Sequence, residues 1–269
     1  MKNVQVAGPE RFSRLTNVTA TLLQIGMISS IYEEDDLRES GLELLGAICN
    51  YLDYDGPAIV PMRGLPLFSA SYTCGSFESG ALISRQTSFL VIQLSERLSQ
   101  HAPQLTLDFL IEVAVGMERS TVQQKIHCLQ YMSPWVKNLV HFADPTTRLF
   151  DQSGARLRDS IRYLINLTLQ DEQVRTLYDS VAPPLIEDPQ VYAMVQQYIW
   201  SEICKLDSPV VNIVLDELMR TAMDGPFGSR RSEIITDTVG TLSSINVRGR
   251  ILSKLRKVCP HVGYALLRH

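Results

Sequence analysis

The residues with most capacity for chemistry are scattered along the chain. His101, His127, His141, His261 and His269 fall in different segments, and none pairs at i, i+4 or with a cysteine at metal-ligand spacing. That spacing implies neither a zinc site nor a histidine-driven nucleophile. Cys49, Cys74, Cys128, Cys204 and Cys259 are odd in number, far apart and free of any CxxC pair. They are expected to be reduced packing residues, not a disulfide framework or a metal site. Arg85, Arg119 and Arg148 sit near expected loops, where an arginine is usually a solvated surface residue. The acidic run Glu33 to Asp36 is accounted for by the preference of carboxylates for a helix start. Asp216 and Glu217 are assigned to the polar face of their helix. No catalytic, cofactor-binding or metal-ligating set is expected, and no cofactor.

One charge asymmetry points to a contact surface. After Asp237 there is no acidic residue, whereas Arg248, Arg250, Lys254, Arg256, Lys257 and Arg268 are basic. Arg250, Lys254 and Lys257 recur at i, i+4 and i+7, one stripe of a helix. Arg248, Arg250, Lys254, Arg256 and Lys257 are the candidate contact residues for an acidic partner or an anionic membrane, where each basic side chain contributes about 1 kcal/mol. The competing account is a solvated face whose cations suit a helix C-terminus. Arg230-Arg231-Ser232 has the pattern of a basophilic kinase site, and Ser232 equally suits a first helical turn.

The elements that would position these residues read as helices. The stretch 104–142 carries three in quick succession. The first, at 105–117, is apolar nearly all round and should be buried on several sides. The second starts from Ser120 as N-cap, with Val122, Ile126 and Leu129 on one stripe. The third opens at Ser133-Pro134, a cap followed by proline, with Trp135, Leu139 and Phe142 inward. Upstream, helices are expected at 16–30 and 36–52, Gly41 and Gly46 permitting close helix contact, and at 86–100 with Phe89, Leu90, Ile92, Leu94 and Leu98. Residues 53–85, rich in proline and glycine, are expected to be an irregular insertion packed partly on the helices. Downstream, helices are expected at 156–169, at 172–181, after Asp188-Pro189, after Ser208-Pro209, at 230–242 and at 245–258.

The chain has 269 residues, 45% hydrophobic and 20% charged, which suits a folded protein and excludes wholesale disorder. A net charge of −4 gives no reason to expect nucleic acid as a partner. No apolar run is long enough to span a membrane, and the N-terminal residues lack the apolar core of a secretory signal. Short links between many helices, with no convincing strand, predict an all-α fold, a HEAT/armadillo-like α-solenoid over 1–269. The apolar tail 262–267 would make a poor capping helix, so the chain is expected to be part of something longer.

The run LTLDFLIEVAVGMERSTVQQKIHCLQYMSPWVKNLVHF resembles the helical region of neurofibromin and the fungal inhibitory regulators of Ras, the Ira proteins. The likeness extends upstream through LRESGLELLGAICNYL and SFLVIQLSERLSQHAPQLTL. Downstream it takes in YIWSEICKLDSPVVNIVLDELMRTAMDGPFGSRRSEIITDTVGTLSSINVRGRILSKL. It covers most of the chain, except 53–80 and 144–155. In that family this region follows a lipid-binding Sec14-like and pleckstrin-homology-like module. Family members accelerate GTP hydrolysis on Ras with an arginine finger, which belongs to a separate catalytic domain. Its FLR-type element and asparagine-proline pair are absent from this sequence.

The resemblance therefore implies a non-catalytic scaffold segment of a Ras GTPase-activating protein. Such a segment would be cytoplasmic or peripheral at membranes and would meet a Ras-type small GTPase only through the full-length protein. Self-association or a scaffold partner would use its helix faces. The alternative is a free-standing armadillo-like adaptor. A third reading, that the chain itself stimulates GTP hydrolysis, lacks the finger motif.

Overall fold

The computed structural model describes residues 9–56, 76–118, 120–143, 155–165, 167, 189–206 and 208–223. Among them every regular element is helical and no strand occurs. The chain divides into two compact units, Met1–Trp135 and Val136–His269.

In the first unit, α1 (Pro9–Ser29) and α2 (Asp35–Tyr51) form a hairpin whose bend is held from within. The buried guanidinium of Arg38 donates to the carbonyls of Tyr32 (3.4 Å) and Glu33 (3.1 Å), and pairs with Asp35. Asp35 and Asp36 occupy the first turn of α2, as expected of carboxylates at the positive end of a helix. The two helices touch at glycine. A Cβ on Gly41 would lie 2.5 Å from the backbone nitrogen of Ser30, and one on Gly26 would lie 2.9 Å from Leu45. Gly41→Ala should therefore lower stability by about 1–3 kcal/mol through overpacking, although alanine is the better helix former. Urea unfolding of the variant checks this, and a stability gain would contradict it.

The second helix ends at Leu52, with Asp53 in the left-handed region at φ 52°. The Tyr54 N–H then bonds the Cys49 carbonyl at 2.9 Å, a Schellman closure. Next come α3 (Ser76–His101), a 3₁₀ turn at Pro103–Leu105, α4 (Thr106–Met117) and α5 (Val122–Val136). Helix α3 begins well before the expected Gln86, so 76–85 belong to a helix and not to an insertion. Gly80 reads as a breaker, yet one glycine inside a helix costs only about 1 kcal/mol relative to alanine. The buried face of α3 includes Thr87, Val91, Leu94, Ser95 and Leu98, while Phe89, part of the apolar pattern that marks this helix, is 60% exposed. Helix α4 buries Leu107, Phe109, Leu110, Val113, Ala114 and Met117, as its apolar circumference requires.

Helix α5 departs from expectation at both ends. Its N-cap is Thr121, not Ser120. The Thr121 N–H donates to Gln124 Oε1 (2.9 Å) while Gln124 N–H reaches Thr121 Oγ1 (3.4 Å), a reciprocal capping box. Ser120 instead donates back to the Gly116 carbonyl. Nor does a new helix open at Ser133-Pro134, because Pro134 lies inside α5. Proline has no N–H to give to the residue four before it and normally breaks a helix. Here Tyr131, Met132, Trp135 and Val136 around it are all fully buried, and that packing holds the helix together.

In the second unit a 3₁₀ turn (Lys137–Leu139) leads into α6 (Val140–Ala143), with Leu139 and Phe142 buried. Helix α7 spans 155–165 and buries Leu157, Ile161, Leu164 and Ile165, one stripe at i, i+4, i+7 and i+8. Helix α8 (Pro189–Val195) continues through a π segment, Gln196–Trp200, into α9 (Ser201–Ile203). Within the π segment the adjacent residues Ile199 and Trp200 are both fully buried. Helix α10 (Ser208–Met223) packs on α6 and buries Val210, Val211, Val214, Leu215 and Leu218. No helix among the described residues is long and apolar enough to cross a membrane.

Candidate functional site

Two polar constellations are drawn together by the helices. In the first unit, Tyr131 lies fully buried on α5 and donates its phenolic proton to Gln24 Oε1 on α1 at 2.8 Å. That proton is the only one the phenol carries, so the Cys128 thiol, 3.0 Å away, donates to the phenol oxygen. One turn along, Trp135 Nε1–H donates to Ser95 Oγ on α3 (2.8 Å), and the Ser95 hydroxyl donates to the Tyr131 carbonyl (2.5 Å). The Phe109 ring from α4 stacks obliquely on Trp135, centroids 4.6 Å apart.

Burial controls the protonation of this thread. It pushes the Cys128 thiol up to about 11, the hydrogen bond with Tyr131 only partly opposing it. Burial, reinforced by the neighbouring thiol, also raises Tyr131 well above its ordinary value. Both groups stay protonated at neutral pH, and a protonated thiol is neither nucleophile nor metal ligand. The hydrogen bonds instead fix the register of α1 and α3 on α5, since a slip would strand buried polar atoms.

In the second unit, Glu217 is 1% exposed, a correction to its assignment to a polar face. Arg158 and Arg162, one turn apart on α7, hold its two oxygens. Arg158 Nη1 donates to Oε1 and Arg162 Nε to Oε2, both at 2.9 Å. Arg220 approaches Oε1 at 3.6 Å, and Arg162 also pairs with Asp159. Burial by itself would raise the Glu217 carboxyl. The hydrogen bonds from Arg158 and Arg162, with the charges of Arg162 and Arg220, outweigh it and leave the group below its ordinary value. It stays ionised at neutral pH, which suits a structural anion and not a general acid. Glu217 falls at i+7 from Val210 and i+3 from Val214, within the apolar stripe of α10, and that spacing was the signal in the sequence.

No protein-family model matches the chain. Among the described residues no three histidine, cysteine or carboxylate side chains converge as metal ligands. His101 is engaged at the end of α2, where its Nε2–H donates to the Leu52 carbonyl (2.9 Å) and its ring meets Tyr54 edge-on. Burial lowers the pKa of His127. Cys49 and Cys128 are buried free thiols and Cys204 is a half-buried one. Arg85 belongs to helix α3 and not to a loop. Arg119, Arg148, Ser232 and the basic residues Arg248, Arg250, Lys254, Arg256 and Lys257 lie outside the described residues.

Proposed function

We propose that the chain is a non-catalytic helical scaffold segment of a neurofibromin/Ira-type Ras regulator, built as an α-solenoid and working in the cytoplasm or at a membrane surface. The observation that carries this reading is how the polar groups of the resembling run are used. Cys128, Tyr131 and Trp135, all within 104–142, are spent on packing helices together, not on a reacting centre. Binding on such a molecule is spread over helix faces. Its partner in signalling, a Ras-type GTPase, would be engaged by the catalytic domain of the intact protein. The basic stripe Arg250, Lys254 and Lys257 remains the candidate contact for an acidic partner or anionic lipid.

Two measurements test the proposal. In single-turnover hydrolysis of GTP on Ras, the purified chain should leave the rate unchanged. An arginine finger supplies an acceleration of about 10³–10⁵, and a change of that order would overturn the non-catalytic reading. A blot of source-cell lysate with an antibody against 104–142 should give a band far above 30.2 kDa. A band at that mass would replace the scaffold segment with a free-standing adaptor.

A further inference from the structure

Helix α1 is apolar on two opposite sides, and among the described residues one side is buried while the other is exposed. Ala20, Leu23 and Met27 are fully buried. On one flank Gly26 meets Leu45 of α2, and on the other Gln24 lies against Gly116 of α4. At about 100° per residue, Val18, Leu22 and Ile25 share a stripe on the side opposite Ala20, Leu23 and Met27, with Leu22 bordering the Gly26 flank. They recur at i, i+4 and i+7 and are 57%, 39% and 46% exposed. A solvated helix face normally carries polar residues there, and a contiguous apolar stripe marks a contact.

The chemistry at the C-terminal end of the stripe says what the contact is. The bend after α1 presents Glu33, Glu34, Asp35 and Asp36, all exposed, followed by Leu37 at 36%. Only Asp35 among these four is drawn into an ion pair, with Arg38 on its own helix. An apolar stripe one helix wide, ending in a concentrated negative charge, complements a helix with the opposite pattern.

We infer that this face of α1 docks an amphipathic helix of a partner protein, its apolar side on Val18, Leu22 and Ile25 and a lysine- or arginine-rich end on the acidic bend. The assignment stands on α1 and its bend and is independent of the family proposed above.

The test uses the full chain and two labelled helical peptides with leucines at i, i+4 and i+7, one flanked by lysine and the other by glutamate. Fluorescence anisotropy should show the basic peptide binding at least ~tenfold tighter, an advantage that shrinks at high salt. Ile25→Asp should weaken the basic peptide ~tenfold or more, because it puts a charge in the apolar contact. Glu33→Lys with Glu34→Lys should reverse the preference between the peptides. These positions are exposed, so each variant should still unfold cooperatively, the two lysines lowering the midpoint only slightly through their charge at the start of α2, and this separates lost binding from lost fold. Absence of binding, equal binding of both peptides, or affinity unmoved by either variant would overturn the inference. So would a dimer in sedimentation that Ile25→Asp dissolves, because the occupant would then be a second copy.

Discussion

Replacing Trp135 with alanine is expected to destabilise the first unit by about 3–5 kcal/mol, the range for truncating a fully buried aromatic. The side chain is completely buried and its ring packs on Phe109 from α4. Its indole N–H is bonded to Ser95 on α3. Truncation would open a cavity where three helices meet and take away a donor from Ser95, whose own proton remains committed to the Tyr131 carbonyl. Trp135→Phe separates the two contributions. It keeps most of the volume and removes the N–H, so the hydrogen-bond part of its loss should be near 1 kcal/mol. Far-UV circular dichroism during urea titration measures both. An alanine variant within about 1 kcal/mol of the parent would mean that α5 is not a central element, since surface changes have effects of that size.

The helices with clean periodicity were legible because the physics that forms them is local. Leu157, Ile161, Leu164 and Ile165 share one face of any α-helix, and that face is buried in α7. The acidic start of α2 and the proline start of α10 were legible for the same reason. Illegibility begins where a distant contact overrides a local signal. Ser133-Pro134 carries the local mark of a helix start, but burial of Tyr131 and Trp135 on either side keeps the helix continuous. Ser120, expected as the cap of α5, gives way to its neighbour Thr121. Gln124 decides between them, because its side chain returns to Thr121.

The polar clusters were harder still, because hydrogen bonds between elements leave no periodic trace. Nothing in the sequence pairs Gln24 with Tyr131, which stand 107 positions apart. Glu217 was half-legible. Its position within an apolar stripe was visible, but the neighbouring Asp216 made the pair look like a solvated face. The i, i+4 arginines of α7, brought across from elsewhere in the chain, hold both of its oxygens and help make a carboxylate tolerable there. A buried polar residue is decided by its partner, and the partner is a tertiary fact.

That dependence gives the last prediction. Breaking a buried ion pair by removing one member typically costs about 3–5 kcal/mol, because the remaining charge loses its partner. At Glu217 the arginines are 38% and 43% exposed, so water can take over part of their solvation. Glu217→Ala should therefore fall at or below the lower end of that range, at about 2–3 kcal/mol. Glu217→Gln, which keeps the shape and loses the charge, should cost about 1–3 kcal/mol, the range for hydrogen bonds to charged groups. The effect should depend on pH with a definite sign. The folded-state pKa of Glu217 lies below the group's ordinary value of 4.5. Above that ordinary value the group is ionised in both folded and unfolded chains, and the full stabilisation is present. Below it the unfolded chain takes up the proton first, so stability falls with pH until the folded carboxyl is protonated too. The stability difference between the parent chain and Glu217→Gln should be constant from neutrality to about pH 5 and should shrink below pH 4.5. Urea midpoints for both proteins across that range measure it. A difference that stays the same down to strongly acidic pH would mean that the arginines hold Glu217 by shape alone and not by charge.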